Sequence, residues 1–218
     1  SETKFDIIYL CMDPGYAPQN RKQIEENAKI LEIPITFFET NIFDSVVDIE
    51  KSPCYLCARM RRGHLYSQAQ KLGCNKIALG HHFSDVIETT LMGMLYGAQI
   101  QAMPPKLKSK NFEGMELIRP LYCVNEEDIL AWKNYNNLKF LQCACRFTEN
   151  CNNSEDEIAP SARLETKKLI KKKKKNIPEV ESHIFKSIHN VQLDTLVGIK
   201  YQDEDYDFVE LYNNKAKK

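Results

Sequence analysis

The sequence lacks several features that would assign it to a common class of protein. No apolar run approaches the ~18 residues that a membrane span needs. An excess of one charge is also absent, because 30 basic residues balance 30 acidic ones among 218. This balance argues against a general nucleic-acid coat but allows a local basic patch. With 43% hydrophobic residues, the chain does not resemble a disordered one. We expect one globular domain, or one domain with a small appendage.

A glycine-rich phosphate loop is missing as well. In open α/β folds the ligand lies beyond the carboxyl ends of the strands, often under a glycine-rich turn that follows the first strand. The first predicted strand of this chain starts almost at residue 1, and Asp13-Pro14-Gly15 follows it. Either the fold does not bind phosphate there, or the sequence begins after the element that does.

Strand patterns alternate with helical ones over the first two thirds of the chain. This alternation predicts an α/β fold with a parallel sheet. From about Asn152 aromatic residues become rare and a lysine-rich helix begins, so we expect domains at 1–151 and 152–218, the second a basic helical tail. The predicted strands are Lys4–Asp13, Ile35–Glu39 and Lys76–Leu79, and the predicted helices are Asn20–Leu31, Cys57–Leu72, Asp85–Tyr96, Ile129–Tyr135, Ser161–Lys175 and Glu179–Asn190.

Eight cysteines are the unusual number in this composition. No secretory pattern is visible, so we expect reduced thiols that bind metal or act in catalysis rather than disulfides. Cys54 and Cys57 form a C-x-x-C before a helix, a spacing that lets two thiolates hold one metal ion. A redox pair or simple packing remains an alternative for these two. Cys11, Cys74 and Cys123 are expected to be small core residues.

A second candidate site is the turn from Gly80 to Asp85, which joins a predicted strand to a helix. Turns of this kind hold ligands in α/β folds, and Asp85 could bind Mg²⁺ or orient a reacting group. His81 and His82 are alternatively structural caps of that helix, with Ser84 as the expected N-cap. The chain contains no H-E-x-x-H motif and no deaminase H-x-E with P-C-x-x-C, which argues against those zinc enzymes.

Four segments in order resemble one family. These are Pro53-Cys54-x-x-Cys57-x-Arg59-x-Arg61-Arg62-Gly63, Lys76-Ile77-Ala78-Leu79-Gly80-His81-His82-x-x-Asp85-x-x-Glu88-Thr89, Met103-Pro104-Pro105-Lys106-Leu107 and Ile118-Arg119-Pro120-Leu121. Together they resemble the PP-loop (N-type ATP pyrophosphatase) enzymes that thiolate tRNA, closest to the tRNA 2-thiocytidine synthetases. The resemblance covers residues 4 to 149.

The resemblance implies a Rossmann-like sheet of the adenine nucleotide alpha hydrolase type that binds ATP and Mg²⁺. It also implies a [4Fe–4S] cluster held by Cys54, Cys57 and Cys143, with Cys145 in reserve, and an enzyme that adenylates a cytidine carbonyl before sulfur replaces oxygen. Further implications are a cytoplasmic location, a sulfur donor such as a cysteine desulfurase, a homodimer and no membrane partner. The residues that the resemblance assigns are Asp85, Cys54 and Cys57 for catalysis, Met12, Asp13, Gly80, His81 and Asp85 for ATP, and Arg59, Arg61, Arg62, Lys106, Lys171 and Lys173 for tRNA.

Two departures from the family pattern are evident. The family's S-G-G-K-D-S loop is not in the sequence, and we expect that the chain is a truncated, split or incompletely recorded form of a longer protein. Ser84 stands where the family usually has Asp, which leaves Asp85 as the acidic candidate.

Other functions remain open at this point. A uridine-thiolating relative usually carries additional zinc-finger cysteines, and no cysteine follows Cys151. A metal-binding or redox module without ATPase activity would also explain the missing phosphate loop. For the run Lys171–Lys175, an exposed helix face without a partner is the alternative to tRNA contact.

Overall fold

The computed structural model describes residues 4–42, 53–140 and 162–215, with backbone alone for 53–55 and 214–215. Contacts divide the chain into two compact units, Ser1–Lys167 and Lys168–Lys218. The first unit combines parallel strands with helices, so the α/β prediction is confirmed. Its elements are β1 (Tyr9–Asp13), α1 (Pro18–Ile30), β2 (Ile35–Glu39), α2 (Pro53–Lys71), β3 (Lys76–Ala78), α3 (Phe83–Tyr96), β4 (Lys106–Lys108), β5 (Glu116–Ile118), α4 (Glu126–Tyr135) and the first part of α5 (Ala162–Lys174).

Strands β1 and β2 pair in parallel, with Tyr9 opposite Ile35 and Asp13 opposite Glu39. Burial increases along β1, so that Met12 and Asp13 are buried while Tyr9 is exposed. The prediction of a buried strand from Lys4 is therefore wrong for its first half. Residues 4–8 precede the strand and are exposed, because β1 has a paired neighbour on one side only among the described strands.

A second sheet has the order β3–β5–β4, in which β3 and β5 are parallel and β4 runs antiparallel to β5. Its apolar side chains pack on helix α2, where Tyr66 and Ala69 meet Met115 and Leu117 in one buried cluster. Cys74 packs against this cluster, as predicted. Cys123 is exposed, so the prediction that it is a core residue is wrong.

An apolar cavity of about 550 Å³ lies between β1 and β3. Ile8 and Leu10 line it from β1 and the residues before it, and Ile77 and Leu79 line it from β3 and the residues after it. Among the described strands no backbone pairing crosses this cavity. The same helix, α2, contributes Leu65 and Ala69 to its wall, so α2 spans the edges of both sheets.

The helix ends show where local chemistry determines the boundaries. Helix α2 ends in a Schellman motif, in which the Cys74 N–H donates to the Ala69 carbonyl and the Gly73 N–H donates to the Gln70 carbonyl. Gly73 has a φ of +75°, which a residue without a Cβ adopts most easily. Helix α3 begins two residues earlier than predicted, and its N-cap is His82 rather than Ser84.

The second unit contains the end of α5, helix α6 (Val180–Ser187), strands β6 (Gly198–Tyr201) and β7 (Glu204–Asp207) and helix α7 (Phe208–Lys215). The helices of the tail are accompanied by an antiparallel hairpin of β6 and β7, which the sequence did not predict. Its two turn residues, Gln202 and Asp203, both have positive φ, the conformation that two-residue hairpins favour. Within the described parts of the chain, no helix has the length and apolar character needed to cross a membrane.

Candidate active site

The turn between β3 and α3 holds the Asp85 carboxylate in a fixed position. One oxygen of Asp85, Oδ2, accepts a hydrogen bond from the His82 backbone N–H at 3.0 Å. The other oxygen, Oδ1, accepts one from Arg163 Nη1 at 2.8 Å. Burial acts to raise the pKa of Asp85, but these two donors outweigh it and hold the pKa below its ordinary value. Asp85 is therefore an oriented anion in the first turn of α3.

Arg163 contacts two carboxylates that are one helical turn apart on α3. Its Nη1 lies 2.8 Å from Asp85 Oδ1 and 3.6 Å from Glu88 Oε2. Glu88 is buried, and burial raises its pKa even though Arg163 opposes this effect. The helix that supplies Arg163 is held in place by two further contacts, Lys167 with Glu126 at 2.8 Å and the Tyr96 hydroxyl with Glu165 at 2.7 Å.

The contact between Arg163 and Asp85 predicts a pH-dependent loss of stability in Arg163→Ala. The folded state lowers the pKa of Asp85, so its stabilisation is present above the ordinary pKa and is lost as the pH falls through the folded-state pKa. We expect Arg163→Ala to lower the free energy of unfolding by about 0.5–1 kcal/mol at pH 7, a value reduced because Arg163 is half-exposed.

Urea unfolding at a series of pH values measures this difference. A double-mutant cycle with Asp85→Asn supplies the control, since Arg163→Ala should cost less once the carboxylate is gone. An equal cost at pH 7 with and without the Asp85 carboxylate would show that Arg163 stabilises the fold through other contacts.

Helix α2 brings the C-x-x-C segment to the end of β1. Cys57 is half-buried and packs against a buried cluster of Met12 and Ile42. Burial raises the pKa of the Cys11 thiol in the same strand as Met12, and Asp13 adds to this effect. One turn after Cys57, Arg61 forms a hydrogen bond with the Tyr16 side chain.

The predicted cluster ligands fall in part outside the described residues. The backbone places Cys54 in the first turn of α2, one turn before Cys57. Cys143 and Cys145 lie in a segment outside the described residues, as does the side chain of Cys54. Among the described side chains, no group of three or more metal-binding residues comes together. The half-buried, apolar surroundings of Cys57 nevertheless suit an iron–sulfur cluster, whose properties depend on such surroundings.

Asp13, a predicted ATP ligand, is engaged in contacts within the fold. Its Oδ1 accepts hydrogen bonds from the N–H groups of Gly15 at 3.0 Å and Tyr16 at 2.8 Å, a pattern typical of an Asx turn. Its Oδ2 lies 3.0 Å from Arg21 Nη1. Asp13 therefore shapes the turn after β1, and the role of an ATP ligand stays a prediction. Gly80, another predicted ATP ligand, lies beside open space, since an added Cβ would meet no heavy atom within 4 Å.

The predicted tRNA contacts are spread over both units. Arg59, Arg61 and Arg62 are exposed on α2. Lys106 pairs with Glu116 at 3.0 Å, a carboxylate that Lys76 also contacts. In the second unit, Lys171 and Lys173 are exposed, and no ion pair with a carboxylate of the described residues is recorded for either.

Three residues of the site received no role from sequence reasoning. Glu88 stands three residues after Asp85, so helical spacing could have placed both on one face of α3. Arg119 directly follows β5, at the same edge of the sheet as His81, and its motif predicts no role for the guanidinium. Arg163 lies about eighty residues from Asp85 in a lysine-rich segment, and no local pattern indicates their contact.

Comparison with known proteins identifies the family of the chain. The PP-loop domain family matches residues 16–152, more than half of the chain, so the chain belongs to that family. Within it, a tRNA-cytidine(32) 2-sulfurtransferase of Syntrophotalea carbinolica is 33% identical over 205 residues, which cover 92% of this chain and 75% of that protein. The same enzyme of Vibrio parahaemolyticus is 34% identical, with 95% and 66% covered. The chain is thus a member of the tRNA-cytidine(32) 2-sulfurtransferase family of enzymes, and the predicted resemblance is confirmed.

One solved structure shows the same fold. The U34-tRNA thiolase NcsA from Methanococcus maripaludis with its [4Fe-4S] cluster superposes with a TM-score of 0.64 at 18% identity, over 84% of this chain and 60% of that one. At this identity the likeness concerns the fold. The chain spans roughly two thirds of the length of these proteins.

Proposed function

We propose that this chain performs ATP-dependent thiolation of a cytidine in tRNA. The main support is the position of helix α2, which brings Cys57 to the end of β1 and Arg62 beside the turn that carries His81. A residue predicted for sulfur chemistry, Cys57, and one predicted for tRNA contact, Arg62, thereby lie on one helix, beside Met12 and His81, which are predicted for ATP. The relatives of this family are named for the same reaction.

The chemistry requires activation of a poor electrophile. The cytidine carbonyl oxygen attacks the α-phosphorus of ATP, the bond to the β-phosphate oxygen breaks, and pyrophosphate leaves. Sulfide then attacks the carbon of the adenylated base, and the C–O bond breaks as AMP departs. The first step converts the carbonyl oxygen into a good leaving group, and the second displaces that group as AMP. The whole sequence therefore consumes one ATP for each sulfur transferred.

The residues of this chain divide these tasks. In the proposal, Asp85 binds Mg²⁺ with the ATP phosphates or orients the reacting oxygen, while Gly80 and His81 approach the nucleotide with Met12 and Asp13. Cys54, Cys57 and Cys143, with Cys145 in reserve, would hold a [4Fe–4S] cluster, which supplies an iron site for sulfide when bound. A cysteine desulfurase would supply the sulfur, and we propose a cytoplasmic homodimer.

The lysine face of α5 supports a tRNA substrate and carries a prediction. Neutralising a phosphate with a lysine releases counterions, and each lost contact reduces the salt dependence of binding by about one unit of log K against log salt. We expect Lys171→Ala with Lys173→Ala to weaken tRNA binding and lower this slope by about two. Filter binding from low to moderate salt measures the slope, and Lys22→Ala with Lys29→Ala, two charges on α1, is the control. An unchanged slope in the α5 variant would remove these lysines from the tRNA interface.

Formation of pyrophosphate tests the proposed first step directly. The full protein is incubated with ATP, Mg²⁺ and unmodified tRNA, without a sulfur donor, and released pyrophosphate is measured. We expect release that requires tRNA and that an unrelated RNA of equal length does not support. Release at the same rate without tRNA would contradict adenylation of a tRNA base.

A further inference from the structure

A small cavity beside the Asp85 turn is lined by basic residues that have no specific role in the proposed reaction. Its volume is about 300 Å³, and it lies between helix α2 and the end of β3. Arg61, Arg62 and His81 supply its polar lining, and Tyr66 and Leu79 supply apolar walls. Aromatic stacking of Tyr66 on Phe112, with ring centres 5.0 Å apart, makes one of these walls rigid.

Arg119 extends the basic group from the neighbouring strand. Arg119 is the first residue after β5, and His81 lies three residues after the end of β3. These two strands are parallel. Both residues therefore lie at the same edge of the sheet. The Arg119 guanidinium lies within electrostatic range of Arg62 and of His81, and its Nη1 donates to the Pro104 carbonyl, which fixes its plane.

Polar atoms of this group are buried without a partner. Nε of Arg119 and Nδ1 of His81 are fully shielded and have no hydrogen-bond partner among the described residues. A buried polar atom without a partner costs about 1–3 kcal/mol. His81 and Arg119 both lie at the ligand edge of the sheet. Their unpartnered nitrogen atoms indicate that a bound ligand supplies the missing hydrogen-bond partners.

The charges of the group point to an anion. Burial lowers the pKa of Arg119, and the positive charge of Arg62 lowers it further. Burial also lowers the pKa of His81, where Arg119 and Arg62 add to the effect and the Asp85 carboxylate opposes it. Among the described residues no carboxylate forms a recorded ion pair with Arg62 or Arg119. Within the described parts of the chain, the two guanidiniums are thus held near each other without a recorded ion pair to a carboxylate.

We propose that Arg62, His81 and Arg119 form a pocket for a phosphate group. A guanidinium presents two parallel N–H donors that match phosphate oxygens, and the imidazole of His81 can supply a further N–H donor. This inference rests on the proposed function, which supplies two sources of phosphate, the polyphosphate of ATP and the backbone of tRNA. It assigns phosphate binding to Arg119. It also places Arg62, which was predicted only as a tRNA contact, in a defined pocket.

Binding of two probes to the full protein tests the pocket without requiring sulfur or turnover. Inorganic pyrophosphate is titrated by calorimetry, and a single-stranded RNA 12-mer without ATP is titrated by fluorescence anisotropy. Loss of one charge-assisted contact should weaken binding about 10- to 100-fold. We expect this loss for Arg62→Ala and Arg119→Ala with at least one of the probes, and a smaller loss for Arg119→Lys.

The pattern of losses identifies the source of the phosphate. Weakened pyrophosphate binding alone assigns the pocket to the nucleotide, and weakened RNA binding alone assigns it to the tRNA backbone. Lys71→Ala, which removes one charge from the last turn of the same helix, is the matched control and should bind both probes normally. Normal binding of both probes by Arg62→Ala and Arg119→Ala, each with an unchanged melting temperature, would overturn the proposal. This result would leave pyrophosphate release with tRNA unaffected, so the two proposals fail separately.

Discussion

Replacing Cys57 by alanine is expected to abolish both the visible absorbance of an iron–sulfur cluster and tRNA thiolation. The thiolate is the metal ligand, and in the proposal Cys57 is one of the two thiolates of the C-x-x-C pair that hold the cluster. Cys57 lies half-buried against Met12 and Ile42, so removal of its sulfur opens only a small space in the fold. The protein should therefore remain folded, and anaerobic purification followed by absorbance, iron analysis and thiolation assays measures the effect.

The same measurements on Cys123→Ser provide a control. Cys123 is exposed and not disulfide-bonded, and it lies outside the C-x-x-C segment. We expect full absorbance and full thiolation in this variant. Thiolation that persists in Cys57→Ala would show that this residue holds no cluster needed for sulfur transfer. Zinc in place of iron in the anaerobically purified wild type would instead support a structural metal site.

Asp85→Asn is expected to reduce ATP-dependent turnover by about 10²–10³-fold while the cluster absorbance is retained. Removal of one preorganised charged or polar group at a reaction centre has effects of this size. Asparagine has nearly the same shape and still accepts the His82 N–H, which Asp85 Oδ2 accepts at 3.0 Å in the parent chain. The change therefore removes the charge and preserves the helix cap.

Pyrophosphate release under saturating ATP and tRNA measures this loss, and melting temperature monitors the fold. Asp128→Asn removes a carboxylate from the first turn of α4, where Asp128 is exposed, and should leave turnover unchanged. If Asp85→Asn turned over at the parent rate, Asp85 would have no part in the chemistry, and its role would be that of a cap.

Much of the site could be predicted because its parts are local in sequence. Gly80 to Asp85 joins a strand to a helix, and that order alone places Asp85 at the ligand edge of a sheet. The predicted start of α2 is four residues too late. A proline usually interrupts a helix, but Pro53 occupies the first helical position, where proline is favourable. The alternation of strands and helices was enough for the α/β fold.

Other parts depend on contacts that no local pattern records. Arg163 reaches Asp85 across about eighty residues, and the segment that carries it reads as a simple lysine-rich helix. The exposure of Ile7 and Ile8 was not predictable either. A continuous apolar run has the same sequence pattern whether other strands and helices cover it on one side or on both. The hairpin of β6 and β7 contains one acidic strand, Glu204–Asp207, and β-propensity disfavours such residues.

Nucleoside analysis of tRNA tests the central proposal most directly. Unmodified tRNA is incubated anaerobically with the reconstituted protein, ATP, Mg²⁺ and sulfide, then digested, and its nucleosides are identified by mass spectrometry. We predict 2-thiocytidine that requires ATP and that is absent with Cys57→Ala and strongly reduced with Asp85→Asn. Thiolated uridine without thiolated cytidine, or no thiolated nucleoside from protein with a full complement of cluster iron, would contradict it.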